Sequence, residues 1–273
     1  MNKRFSKRSN PRWPGLCVKV LVLIGILFLI FPILVVVLSS FNKSPHIEFP
    51  PREFSLDWYH NLLSKTKFMQ GFRISLMIAA AVTVISTFSG VLASLVLVRS
   101  NFKGKNFLNG YLLSPIILPE VVSGVCLLIF FNSIGMFSNL LNLMIGHVII
   151  TIPYVIRTVT AILYRFDRSI EEAAMNLGAN PIQTFMKVTL PIIKPGVVAG
   201  AVFSFIMSFD NFALSIFLSG PRTETLPIVI FMHLRYEIDP TISALSTILI
   251  GGIVALVFFL ERFVRLEQFI GID

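Results

Sequence analysis

The chain has 273 residues, 55% of them hydrophobic and only 14% charged, against roughly 25% charged in an ordinary soluble domain. That balance all but excludes a water-soluble globular domain, and it excludes intrinsic disorder, which needs low hydrophobicity and high charge. The net charge of +9, from 23 Lys and Arg against 14 Asp and Glu, would point to an anionic partner in a soluble protein but records orientation in a membrane protein.

Crossing ~30 Å of hydrocarbon takes about 20 apolar residues in a helix. Six segments meet this: Leu16–Leu38, Ile74–Val98, Phe107–Phe131, Asn139–Leu163, Pro195–Leu218 and Ile242–Leu260. The first follows a basic stretch (Lys3, Arg4, Lys7, Arg8, Arg12) like that of a signal peptide. Its apolar core is too long for one, and the following Ser39-Ser40-Phe41-Asn42 is no small-x-small cleavage site. It is read as a retained anchor, with Lys19 snorkelling at its start. The second and sixth segments carry no charge; the third holds Glu120 and two prolines, and the fifth holds Asp210.

The fold class is therefore an all-α integral membrane protein with six transmembrane helices. The expected division is a tail over 1–15, a membrane domain over 16–262 and a second tail over 263–273. Within the domain lie an external loop 39–73, a cytoplasmic loop 164–191 and an external loop 219–241. An even number of spans puts both termini on one side. Sixteen of the basic residues then fall on the side of the termini and seven on the other. The positive-inside rule places both termini in the cytoplasm. No loop has room for a soluble catalytic domain.

The cytoplasmic loop from Asp167 to Pro191 carries the most local information. Ser169 with Glu172 three residues on has the form of a capping box, which predicts a helix start. Glu171 and Glu172 suit the positive end of that helix. Gly178 supplies a left-handed stop. Asn180 caps a second start, with Pro181 at the favoured first position. A helix of about two turns is expected through Val188, before Leu190-Pro191 breaks the chain. Two short helices joined by a Gly-Ala-Asn turn present an exposed tip suited to docking.

The same stretch carries a pattern. Glu172-Ala173-Ala174, three residues, Gly178, nine residues, then Val188-Thr189-Leu190-Pro191 resembles the signature of permease subunits of bacterial ABC importers. Val188 stands where that signature has isoleucine. The resemblance extends over the six-span layout and implies a type I ABC importer permease architecture in the bacterial inner membrane. It implies that Glu172, Ala173, Ala174, Gly178, Ala179, Asn180, Pro181, Leu190 and Pro191 form the loop that couples to a separate ATPase, with the helix from Pro181 to Lys187 in a cleft of that subunit. The partners implied are an ATPase dimer, a second homologous permease, a periplasmic or lipid-anchored solute-binding protein and membrane lipid, with no nucleic acid. A separate motor agrees with the absence of any G-x-x-x-x-G-K-[ST] loop. The chain is expected to be no enzyme and to bind no cofactor, ATP being used by the partner.

An ionisable side chain inside a span is a functional candidate by default. Counted from the cytoplasmic side, Glu120 and Asp210 sit at matched depth, roughly 20 Å at ~1.5 Å per residue. They stand as candidates to line one cavity. Pro119 suggests a broken helix whose new N-terminus faces Glu120; the rival account is a carboxylate that only caps a kink. Gly200, Ser204, Ser208, Asn211 and Ser215 share one face of the fifth segment. With Asp210 they are read as lining a translocation path. Ala79, Thr83, Ser86 and Gly90 form a similar stripe on the second, read as close helix packing.

Ser208-Phe209-Asp210-Asn211, Ser219-Gly220-Pro221, Leu226-Pro227 and Pro240 through Ile248 look like the spermidine/putrescine subgroup of these permeases. That subgroup carries an acidic pair after the serine; here the second acid is replaced by Asn211. The resemblance implies a polyamine substrate, which suits intramembrane carboxylates. Other solutes (opine, phosphonate, thiamine, metal or anion) remain open, as does a self-sufficient secondary transporter using Glu120 and Asp210 as ion sites. His147 is read as a packing histidine with satisfied nitrogens. His46, His60 and His233 form no metal-ligand spacing, and Cys17 and Cys126 form no metal or redox pattern.

Overall fold

A computed structural model describes residues 12–45, 49–237 and 239–264. Residues 1–11 and 265–273, most of the two expected tails, lie outside the described residues. Apart from one isolated β-bridge, the described residues are helices and connections. They divide into two compact units. One holds the residues up to Ser64 together with Glu237–Ala255, and the other holds Lys65–Tyr236 and the residues from Leu256 on.

In the first unit, helix α1 (Arg12–Ser39) covers the expected first span. Its apolar side chains are open, Phe28 at 76% and Leu29 at 70%, which suits a helix that faces lipid or another chain. The return loop is held by an antiparallel bridge between Asn42 and Phe54, and the Trp58 Nε1–H donates to the Asn42 carbonyl at 2.7 Å. Helix α2 (Asp57–Ser64) follows. The last long helix, α12 (Thr241–Val264), belongs to this unit up to Ala255 and starts where the Thr241 N–H donates to the Asp239 carboxylate at 3.0 Å.

The second unit is built on three long helices: α3 (Thr66–Arg99), α6 (Asn139–Leu163) and α9 (Leu190–Phe209), each packed on the other two. Small residues let the backbones approach. A Cβ on Gly90 would lie 2.7 Å from the Val155 side chain, and one on Gly200 would lie 2.6 Å from Thr158 Oγ1 and 2.9 Å from Val155 Cα. Val155 thus fills the space that both glycines leave. The second-segment stripe is packing, as expected. Ser86 is fully buried and shares a 2.7 Å hydrogen bond with Thr151 of α6.

Among the described residues, four helical stretches are each long and apolar enough to cross a membrane: Cys17–Ser39, Thr66–Arg99, Asn139–Leu163 and Pro181–Phe209. Two expected spans differ from straight helices. The third becomes α4 (Lys105–Leu113), a 3₁₀ turn Ser114–Ile116, and α5 (Glu120–Ser133), bent by 105°. Pro115 and Pro119 lack the N–H groups that would carry a helix through, and a proline disfavours helical geometry in the residue before it. Taken as one span, the pair makes a fifth. The fifth segment ends early, at Phe209, and resumes only as α10 (Ser215–Leu218), after which α11 (Leu226–Tyr236) follows. Where the sixth was expected, over Ile242–Leu260, α12 runs as one helix from Thr241 to Val264.

Candidate functional site

The loop between α6 and α9 begins with α7 (Ser169–Asn176). The Ser169–Glu172 capping box is not formed. Asp167 takes that role, accepting the Ser169 N–H at 2.9 Å, and this backbone hydrogen bond holds the Asp167 carboxyl below its ordinary pKa. An Asp two residues upstream reaches the free N–H with its short side chain. Glu172 instead makes an exposed i,i+4 pair with Arg168 at 3.5 Å.

The stop is as expected. Gly178 has φ +91°. The Ala179 N–H reaches the Ala174 carbonyl at 3.1 Å and the Gly178 N–H reaches the Met175 carbonyl at 3.0 Å, a Schellman closure that satisfies both. Asn180 caps the next start in a full capping box: it accepts the Gln183 N–H at 2.8 Å, and its own N–H donates to Gln183 Oε1 at 3.1 Å. Pro181 is the first residue of α8 (Pro181–Thr184).

Beyond α8 the structure departs from expectation. Leu190-Pro191 does not break the chain. One π-type turn, Phe185–Thr189, leads directly into α9, with the Leu190 N–H bonded to the Phe185 carbonyl. That wider turn shifts the hydrogen-bond register just ahead of Pro191, and the helix continues past a residue that cannot donate. The loop tip is apolar and open: Leu177 is 90% exposed and Ile182 75%. Glu172, Ala173, Gly178, Asn180, Pro181 and Pro191 are exposed, and Ala174, Ala179 and Leu190 are half-buried.

Sequence reasoning placed Glu171 at the positive helix end but did not foresee its partners. Its Oε1 accepts from Arg99 Nη2 at 2.8 Å and from Thr189 Oγ1 at 2.6 Å. A helical step of ~100° separates adjacent side chains, so Glu171 turns inward while the signature residue Glu172 turns out.

The second cluster lies where α5 begins and α9 ends. Glu120 is the first residue of α5 and is half-buried. Its Oε2 accepts the Asn211 side-chain N–H at 2.8 Å, and the Asn211 side-chain oxygen accepts the Leu214 N–H at 3.0 Å. One asparagine thus ties the break in the third segment to the break in the fifth. Asp210 is the C-terminal cap of α9 and is exposed. His147, fully buried, hydrogen-bonds Ser208 through Nδ1 at 2.8 Å and Ser215 through Nε2 at 2.9 Å. It is the satisfied packing histidine expected, and its partners flank the unwound stretch Asp210–Leu214. Of the proposed path residues, Ser204 and Ser208 are buried on the stripe that packs against α6. Glu120 and Asn211 are joined, and Asp210 is open.

Residues 86–266 match the family described as binding-protein-dependent transport system inner membrane component. The chain belongs to that family. It is 36% identical over 241 residues to the putrescine transport system permease protein PotI of Escherichia coli K12, covering 86% of this chain and 85% of the relative. It is 33% identical over 223 residues to the spermidine/putrescine transport system permease protein PotC of the same organism, covering 82% and 84%. The fold resembles that of a bacterial ABC transporter involved in the import of the acidic polysaccharide alginate, with TM-score 0.75, 17% identity, and 96% and 99% of the two chains covered. The chain is thus a membrane permease subunit of an ABC importer and not an enzyme. The self-sufficient secondary transporter has no support from this match. Family membership brings an ATPase and a binding protein as partners in kind.

Proposed function

We propose that this permease subunit carries polyamines, spermidine or putrescine, into the cytoplasm. The observation that carries the reading is the match to two polyamine permeases over more than four fifths of each chain. The open carboxylate of Asp210 supports it, since a cationic solute stabilises an ionised acid. In this scheme a second, homologous permease completes the path, and a binding protein delivers substrate from the external side. Both termini lie in the cytoplasm, in keeping with the basic-residue count. An ATPase dimer grips the loop 169–190, where Leu177 and Ile182 offer apolar anchors. ATP binding by that partner supplies the differential affinity between inward- and outward-facing states, and this chain binds no cofactor. Cells carrying the complete importer should take up labelled putrescine in a manner that unlabelled spermidine competes; uptake indifferent to both solutes contradicts the assignment.

A further inference from the structure

One carboxylate in the cytoplasmic loop holds three elements together. Glu171 belongs to the first turn of α7. Arg99 is in the last turn of α3, where its charge also suits the negative helix end. Thr189 closes the π-type turn at the root of α9 and is 2% exposed. The Arg99 guanidinium lies 5.0 Å from the ring centre of Phe166, which packs on the cluster of Val91, Val155, Val159, Leu163 and Ile193.

The burial separates this pair from its neighbour. Arg99 and Glu171 side chains are 19% and 13% exposed, whereas those of Arg168 and Glu172 are 61% and 58% exposed. An exposed pair contributes little; removing one partner of a shielded pair leaves the other charge uncompensated. No side chain of α7 is buried, so apolar packing alone does little to fix it. The ends of α7 are tied by local caps, and Glu171 ties its first turn to the end of α3 and the root of α9.

We propose that Glu171, held by Arg99 and Thr189, is the positioning node that transmits a displacement of α7 to α3 and α9. This rests on the reading of 169–190 as the ATPase-gripped loop. Glu171 itself faces away from the exposed tip and acts through the two helices it joins. A push on α7 therefore moves the ends of α3 and α9 together, and those helices pack along their length on α6.

The test uses the assembled importer in lipid nanodiscs, with Glu171→Gln, Arg99→Gln, the two combined, and the milder Thr189→Val. Two readouts are taken: amide exchange over 169–176 in this chain, and stimulation of ATP hydrolysis by the binding protein relative to basal hydrolysis. Each charge variant should speed exchange by roughly tenfold or more and cut the stimulation ratio severalfold. The double variant should match the singles within about twofold, because all break one interaction. Thr189→Val should shift both readouts in the same direction by less. Unchanged exchange, or single effects that multiply in the double, overturns the node. Faster exchange with the stimulation ratio intact overturns transmission. A wild-type complex that retains no ATPase overturns the docking reading and transmission with it, while exchange still reports whether Glu171 holds α7.

Discussion

At Asn211 the side-chain amide donates to Glu120 and its oxygen accepts from Leu214, so this residue needs both a donor and an acceptor. Asn211→Asp would set two carboxylates face to face across a 2.8 Å contact, where both cannot remain ionised without penalty. The variant should be less stable by about 1–3 kcal/mol, read as a lowered melting temperature of the purified protein; an unchanged value would show that the two helix breaks are not joined through this bond. Asp210→Asn leaves the shape and removes the open charge. It should lower putrescine uptake by about tenfold or more while expression holds, and undiminished uptake would remove Asp210 from the path. Both acids were visible in the sequence as charges in apolar segments. Their different fates were not. Glu120 is engaged and Asp210 open because of the turn between Phe209 and Leu214, which no local pattern specifies. Likewise the partners of Glu171 stood hidden, since only the packing of α3 on α6 and α9 puts Arg99 within reach.

Helices with plain local signals were legible as elements. The span expected over Asn139–Leu163 is the observed α6, and Gly178, Asn180 and Pro181 perform the stop and restart their chemistry suggests. The misreadings fall where proline and register compete. Two prolines bend the third segment through 105°. Pro191, expected to break a helix, is absorbed by a single π-type turn. The cap at Ser169 went to Asp167, because two acceptors compete for one N–H and geometry chooses. Gly178 provides the test at this scale. Its φ of +91° disfavours a branched side chain by about 1–2 kcal/mol, with open space around it. Gly178→Val should weaken retention of the ATPase roughly tenfold. Gly104→Val, at φ +93° with equally open space, controls for backbone strain and should leave retention unchanged. Equal loss in both would mean that strain, and not the loop's docking shape, sets the effect.

For the whole molecule, we read the excess of basic residues as a topological label. Sixteen lie on the side proposed to be cytoplasmic and seven on the other. The three packed helices α3, α6 and α9 form a frame, with the loop 169–190 at the start of α9 and the Glu120–Asn211 junction just past its end. Motion at the loop and exposure of Asp210 thus concern the same helices, since α9 begins at the π-type turn and ends at Asp210. The most direct test of a polyamine permease driven by a separate motor is uptake of labelled putrescine into proteoliposomes holding this chain, its companion permease and the ATPase. Uptake should require both the binding protein outside and ATP inside. Uptake that persists without the ATPase, or a complete importer that moves another solute and neither polyamine, would contradict it.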